Sequence, residues 1–156
     1  KWGKKAKKAI FDASESGYAA IVILIDRDGD SDAERIVPIR EARDATWGTG
    51  VPCAVGQAVE AFDAWMIADG KAIKEAGGDA ARQHPMPENL AGKDGSKHHP
   101  KAWAMDILGG KESLADKYAV IAAKARLDIL AACCPKGFAP FAEDVKERIR
   151  PVVDGR

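Results

Sequence analysis

Ala20–Asp32 reads AIVILIDRDGDSD, and it joins an apolar run, Ile21–Ile25, to the acids Asp26, Asp28, Asp30 and Asp32. An unbroken, largely β-branched run of this length predicts a strand buried on both faces, as in a parallel sheet. The acids then fall at the strand's carboxyl end, where open α/β sheets bind their ligands. Carboxylates this close repel one another. A hard divalent cation such as Mg²⁺ or Mn²⁺ relieves that repulsion through oxygen ligation. The competing reading is local: an acidic loop that turns at Gly29 and caps the next helix with Asp30 or Ser31.

Working outward, Lys4–Ser16 has Ala6, Ala9, Ile10 and Ala13 at helical spacing, with Gly17 as its stop. Ser31–Ala45 predicts a helix that Pro38 kinks or divides. Thr46–Gly50 is a turn, and Val51–Val55 a short second strand. From Gln57 the pattern is helical. Val59, Phe62, Trp65, Met66 and Asp69 follow three-four spacing, and Lys71–Glu75 continues or restarts that helix. His84–Pro100 is a long Pro- and Gly-containing loop. Lys101–Leu108, Ser113–Cys134 and Phe138–Ile149 complete the helices, the middle one with a break near Ala125. The expected fold is α/β: a small parallel, Rossmann-like sheet followed by a mainly helical C-terminal half.

Composition narrows the classes. The chain has 156 residues, with 24 basic and 24 acidic side chains, so it carries no net charge. Nothing global marks it for a nucleic acid or a membrane. No apolar stretch approaches the roughly 20 residues of a membrane span. Cys53, Cys133 and Cys134 are odd in number, two are adjacent, and no CxxC spacing exists. That pattern fits reduced thiols in a cytoplasm and argues against a structural zinc site. Lys1–Lys8 is followed by no secretory apolar segment.

A second acidic pair, Glu60 and Asp63, follows the second strand at i, i+3 spacing, so both can share a helix face. If the two strands run in parallel, Asp26, Asp28, Glu60 and Asp63 gather at one sheet edge and can hold one or two ions. Such ions activate water and stabilise phosphoryl transfer. Alone, Glu60 and Asp63 also suit a helix start, where the dipole favours acids. His84, His98, His99, Lys93, Lys97 and Lys101 form a polar loop patch. Lys1, Lys4, Lys5, Lys7 and Lys8 form a basic run. Lys4, Lys5, Lys8, Lys97 and Lys101 are the expected nucleic-acid phosphate contacts, against the ordinary reading of a solvated face. Trp47, Trp65 and Trp103 read as core or rim packing, and Cys133-Cys134 as an inert apolar helix end.

Taken in order, IVILIDRDGD (21–30), AVEAFDAWMIAD (58–69), HHPKAW (98–103) and CCPKGFAPFAEDV (133–145) resemble the bacterial family catalogued as domain of unknown function 4276, grouped with Toprim-like domains. The resemblance covers nearly the whole chain. It implies one Toprim-like domain over 1–156, with 1–57 as its α/β part and 58–156 as its helical part. Toprim domains occur in topoisomerases, primases and nucleases, and pair an Asp-x-Asp at a strand end with a glutamate on an earlier strand. Asp26 and Asp28 match the Asp-x-Asp and are the implied catalytic and metal-holding residues. Asp63 stands where the family usually carries glutamate. The resemblance places the Toprim glutamate before the Lys4–Ser16 helix. The expectation is therefore either a fragment that has lost its first strand or a domain without a complete Toprim site.

The implied function is Mg²⁺-dependent cleavage or transfer of nucleic-acid phosphodiesters, in defence or DNA repair. One alternative is a non-catalytic interaction domain that partners an ATPase. Another is a haloacid-dehalogenase-like phosphatase. In that reading Asp26 attacks phosphorus and Asp28 serves as acid–base, but the later motifs of that family have no evident match here.

Overall fold

A computed structural model describes the chain except residues 28, 47–49, 91–95, 111, 113 and 156. In chain order the elements are α1 (Trp2–Glu15), β1 (Ile21–Asp26), α2 (Ile36–Ala45), β2 (Cys53–Ala58), α3 (Asp63–Met66) and α4 (Gly70–Glu75). They continue with α5 (Pro100–Leu108), α6 (Leu114–Lys124), α7 (Leu127–Cys133), α8 (Phe138–Arg148) and α9 (Arg150–Asp154). Short 3₁₀ turns span Ala80–Arg82 and Pro87–Asn89. Two compact units result: residues 1–57 with 140–156, and residues 58–139.

In the first unit α1 buries Ala6, Ile10 and Ala13, one helical stripe, and α2 buries Ile36, Ile39 and Ala42. The two helices approach closely at Gly3, where an added Cβ would lie 2.8 Å from the Pro38 carbonyl oxygen. Both pack on the sheet through Cys53, Val55 and the half-buried Ile21, Ile23 and Ile25. Fully burying an isoleucine such as Ile10 or Ile39 contributes about 2–3 kcal/mol. Pro38 makes no kink. It is the third residue of α2, in the first turn, where a helix has no i−4 acceptor for its N–H groups. The helix therefore starts at Ile36, after a turn in which the Glu34 carboxylate accepts from Ser31 N (3.0 Å) and Ser31 Oγ (2.7 Å).

β1 and β2 form a two-stranded parallel sheet. Ile21 N donates to Pro52 O at 2.9 Å, so the strands start together. β2 begins at Cys53 and runs to Ala58, later than its sequence implied. The expectation that β1 is buried on both faces is overturned. Ile21, Ile23 and Ile25 face α1 and α2, but Val22 and Leu24 remain 48% and 37% exposed on the other face. That second face is covered at β2 instead. Phe141 of α8 lies over Gly56, where an added Cβ would sit 2.5 Å from its ring. Asp144 of α8 also accepts from Val55 N at 2.7 Å, closing the outer edge of β2 with a side-chain acceptor.

In the second unit Trp65 is buried, edge-on to Phe62 and Phe138 at centroid distances of 5.4 and 5.2 Å. The helix expected from Gln57 begins only at Asp63, and of the two readings of Lys71–Glu75, continuation or restart, the restart is formed. Gln57 and Ala58 belong to β2, the chain turns at Glu60 with φ +61°, and the helical stretch divides into α3 and α4. The division falls at Asp69, whose buried carboxylate caps α4 by accepting from Lys71 N at 3.0 Å. The expected break near Ala125 is present, between α6 and α7. Among the described residues no helix is long and apolar enough to cross a membrane.

Candidate metal and phosphate site

Parallel pairing carries the carboxyl ends of β1 and β2 to one edge of the sheet, as the strand spacing predicted. Asp26 is the last residue of β1 and Gln57 the penultimate residue of β2. Gln57 lies on the same strand face as Cys53 and Val55, by alternation. Its Nε2 is buried with no hydrogen-bond partner among the described residues.

The loop after β1 is braced from within the first unit. Gly29, with φ +76°, permits the turn in which Asp30 N donates to Arg27 O at 3.0 Å. Arg35, at the N-cap of α2, donates from Nε to the Asp30 carboxylate and from a terminal nitrogen to the Asp26 carbonyl oxygen. Its guanidinium stacks 5.1 Å from the centroid of the Trp2 ring, and Lys5 Nζ lies 4.9 Å from the same ring. Cation–π pairs of this kind hold both groups in place. The start of α1 thus sets an aromatic ring and an ammonium beside the strand-end loop. Hydrogen bonds from Ser31 hold the Glu34 carboxyl below the usual carboxylate range.

The expected site residues are distributed over both units. Asp28 lies outside the described residues, as do Trp47 and Lys93. Asp26 and the basic run belong to the first unit. Within that run, Lys4 and Lys7 line a groove of about 460 Å³ between α1 and α2 with Pro38 and Glu41. Lys5 joins the Trp2 cluster. Lys8 pairs with Asp12 at 2.6 Å, both groups well exposed, and contributes little to stability. Glu60, Asp63, Lys97 and Lys101 belong to the second unit. Glu60 holds a left-handed backbone that non-glycine residues rarely adopt. Asp63 opens α3 and accepts a hydrogen bond from Tyr118 Oη. Burial, then that carboxylate, pushes the Tyr118 hydroxyl far above its ordinary value, so it stays a donor. Lys97 and Lys101 are exposed.

The histidines are used structurally. His99 caps α5, its Nδ1 accepting from Lys101 N at 3.2 Å, and His84 packs edge-on to Trp103 at 5.3 Å. Burial pushes the His84 pKa down. The thiols are unreactive in kind. Burial raises Cys53 to about 11 and raises Cys134 further, which keeps both protonated at neutral pH.

Among the described residues no three His, Cys, Asp or Glu side chains gather into a metal cage. Mg²⁺ does not need one. It is commonly held by one or two carboxylates together with waters and substrate phosphates. The sequence reading had missed Arg35, Trp2 and Gln57. Arg35 had a signal, a cation at the start of the helix that follows an acidic loop. The roles of Trp2 and Gln57 exist only through packing.

Searches of family models, of curated proteins and of solved structures give no match for this chain.

Proposed function

We propose that this chain is a Toprim-like, Mg²⁺-dependent domain that cleaves or transfers nucleic-acid phosphodiesters, with Asp26 and Asp28 at its centre. Asp26 and Asp28, both in the first unit, hold the ion. The ion, Mg²⁺ or Mn²⁺, supplies a Lewis acid that lowers the pKa of water and offsets charge on the transferring phosphoryl group. Arg35 fixes the loop through the Asp26 carbonyl and the Asp30 carboxylate, which keeps the strand-end acids in one arrangement. Lys5 and Trp2 supply a phosphate contact and a stacking face beside that loop. Lys4 and Lys8, on the same unit, extend the contact along a nucleic-acid backbone. A cytoplasmic setting suits the three unpaired thiols.

The observation that carries this reading is the meeting of Asp26, Arg35, Trp2 and Lys5 at the carboxyl edge of the sheet. Anion repulsion and anion recognition then occupy one place. Arg35 also favours a second reading. A guanidinium already neutralises part of the loop's charge, as it would in a non-catalytic domain that docks on an ATPase.

The two separate on activity. Purified protein is incubated with single- and double-stranded DNA and RNA, with Mg²⁺, Mn²⁺ or EDTA. The enzyme reading expects metal-dependent cleavage that Asp26→Asn abolishes and Lys5→Ala weakens by raising KM. Metal-independent nuclease activity unchanged by Asp26→Asn overturns the Asp26 site, and no activity in a protein that binds metal supports the interaction domain instead.

A further inference from the structure

At the opposite end of the sheet, the amino end of β2, the first unit holds a cavity of about 540 Å³. That is within the range of small-molecule sites. Val51, Pro52 and Cys53 line it from β2 and the residues before it, Pro151 from α9, and Arg43 and Arg148 from α2 and α8. Both guanidiniums are fixed. Arg43 Nε donates to Asp44 at 2.9 Å and Arg43 NH1 to Asp144 at 3.1 Å, while Arg148 Nε donates to the other oxygen of Asp144 at 2.9 Å. Asp144 is anchored in turn on Val55 N. One carboxylate therefore orients two cations.

These bonds leave donors over. Arg43 NH2 and both terminal nitrogens of Arg148 find no acceptor among the described residues. The Arg43 side chain is only 11% exposed, so water satisfies it poorly. Glu147 also lines the cavity, and both it and the nearby Asp44 are exposed at the surface, where solvent screens them. The protonated Cys53 thiol and the two prolines give the rest of the wall an apolar character.

From the paired guanidiniums and the apolar floor we infer that this cavity binds a small organic oxyanion, carboxylate- or phosphate-headed, on an apolar body. The head bridges Arg43 and Arg148, and the body lies on Val51, Pro52 and Pro151. Fixed guanidiniums lose little entropy on pairing with such a group, and their fork geometry matches it. The site shares no residue with the strand-end acids and stands or falls apart from them.

The test is an amide-shift titration of the ¹⁵N-labelled chain with benzoate, phenyl phosphate, inorganic phosphate and benzyl alcohol. The expected result is saturable binding of benzoate or phenyl phosphate, with shifts confined to Arg43, Gly50–Cys53 and Glu147–Pro151. The relative strength of those two probes tells which head the site prefers. Inorganic phosphate and benzyl alcohol should bind at least tenfold more weakly, since each offers half of the recognition. Arg148→Gln, with its unfolding midpoint checked, should weaken binding at least tenfold, and Arg148→Lys should restore part of it. Non-saturating or scattered shifts with wild-type protein overturn the inference. So does benzyl alcohol binding as well as benzoate, or a folded Arg148→Gln that binds like wild type.

Discussion

The buried acids of the helical unit and the strand-end acids of the sheet unit meet opposite surroundings. Asp69 accepts from Lys71 N and from Arg126 through its backbone N, Nε and NH2, all within 3.0 Å. Glu88 accepts from Trp65 Nε1 and from the backbone N–H groups of Lys136, Gly137 and Phe138. Those last donors are the open start of α8, so Glu88 fills a helix N-terminus as an anion would. Each carboxylate is saturated by the protein itself. The loop after β1 is different. Asp30 is 43% exposed, and much of what Arg35 grips there is main chain. Acids saturated by protein donors hold a fold together. The acids after β1 sit instead at a strand end, where Arg35 braces the loop through the Asp30 carboxylate and the Asp26 carbonyl oxygen.

The largest expected effect tests the saturated side. Glu88→Ala should cost about 3–5 kcal/mol, because it strands buried donors, including the Trp65 indole N–H. Glu88→Gln, which turns an NH₂ toward donors, should cost about 1–3 kcal/mol. Urea unfolding measures both. A cost near zero for Glu88→Ala would erase the distinction between the two regions.

Asp69 comes next and adds a pH signature. Hydrogen bonds from Arg126, outweighing burial, hold its pKa at about 2, against an ordinary 3.8. A depressed folded-state pKa stabilises the fold fully above the unfolded value. That contribution disappears as pH falls from about 4 through about 2. Because Arg126 is half exposed, the contribution is set at about 1–2 kcal/mol. Asp69→Asn should therefore lower stability at neutral pH and flatten the loss between pH 4 and 2. An unchanged acid slope would show that Arg126 does not hold this carboxylate in solution. Tyr118→Phe, which removes the donor to Asp63, should cost about 1 kcal/mol by the same unfolding measurement.

These roles divide the residues by how far they were legible in the sequence. The parallel strand pair, the helical remainder and the break between α6 and α7 follow from local pattern, and pattern is local by nature. Trp65 and Trp103 as packing residues, core or rim, were likewise readable. The exposure of Val22 and Leu24 was not, because it depends on where α8 lies rather than on β1. Nor was the short span of α3, although a restart over Lys71–Glu75 was open to the sequence. The three-four spacing of Val59 to Asp69 is real, but Asp69 turns inward to Arg126, 57 residues on, and caps a new helix. Glu88 sat unnoticed in a loop because its partners are 23 to 50 residues away. Asp26 stood out because its signal, a charge at the end of an apolar run, needs no partner to be seen.

The smallest expected stability effect belongs to the strand-end acids. Without metal, Asp26→Asn/Asp28→Asn should shift stability by no more than about 0.5 kcal/mol, the range of surface substitutions, with relief of repulsion favouring the variant. Added Mg²⁺ should raise the unfolding temperature of wild type alone, since a ligand stabilises only the state that binds it. An equal Mg²⁺-induced rise in the double variant would place the ion elsewhere on the chain.

Calorimetric titration of Mg²⁺ and Mn²⁺ into wild type and into Asp26→Asn/Asp28→Asn tests the central claim most directly. The account predicts saturable binding in wild type and its loss in the variant, with the variant's fold intact. Equal affinity in both proteins would contradict it, and would leave the acids after β1 as a turn and helix cap.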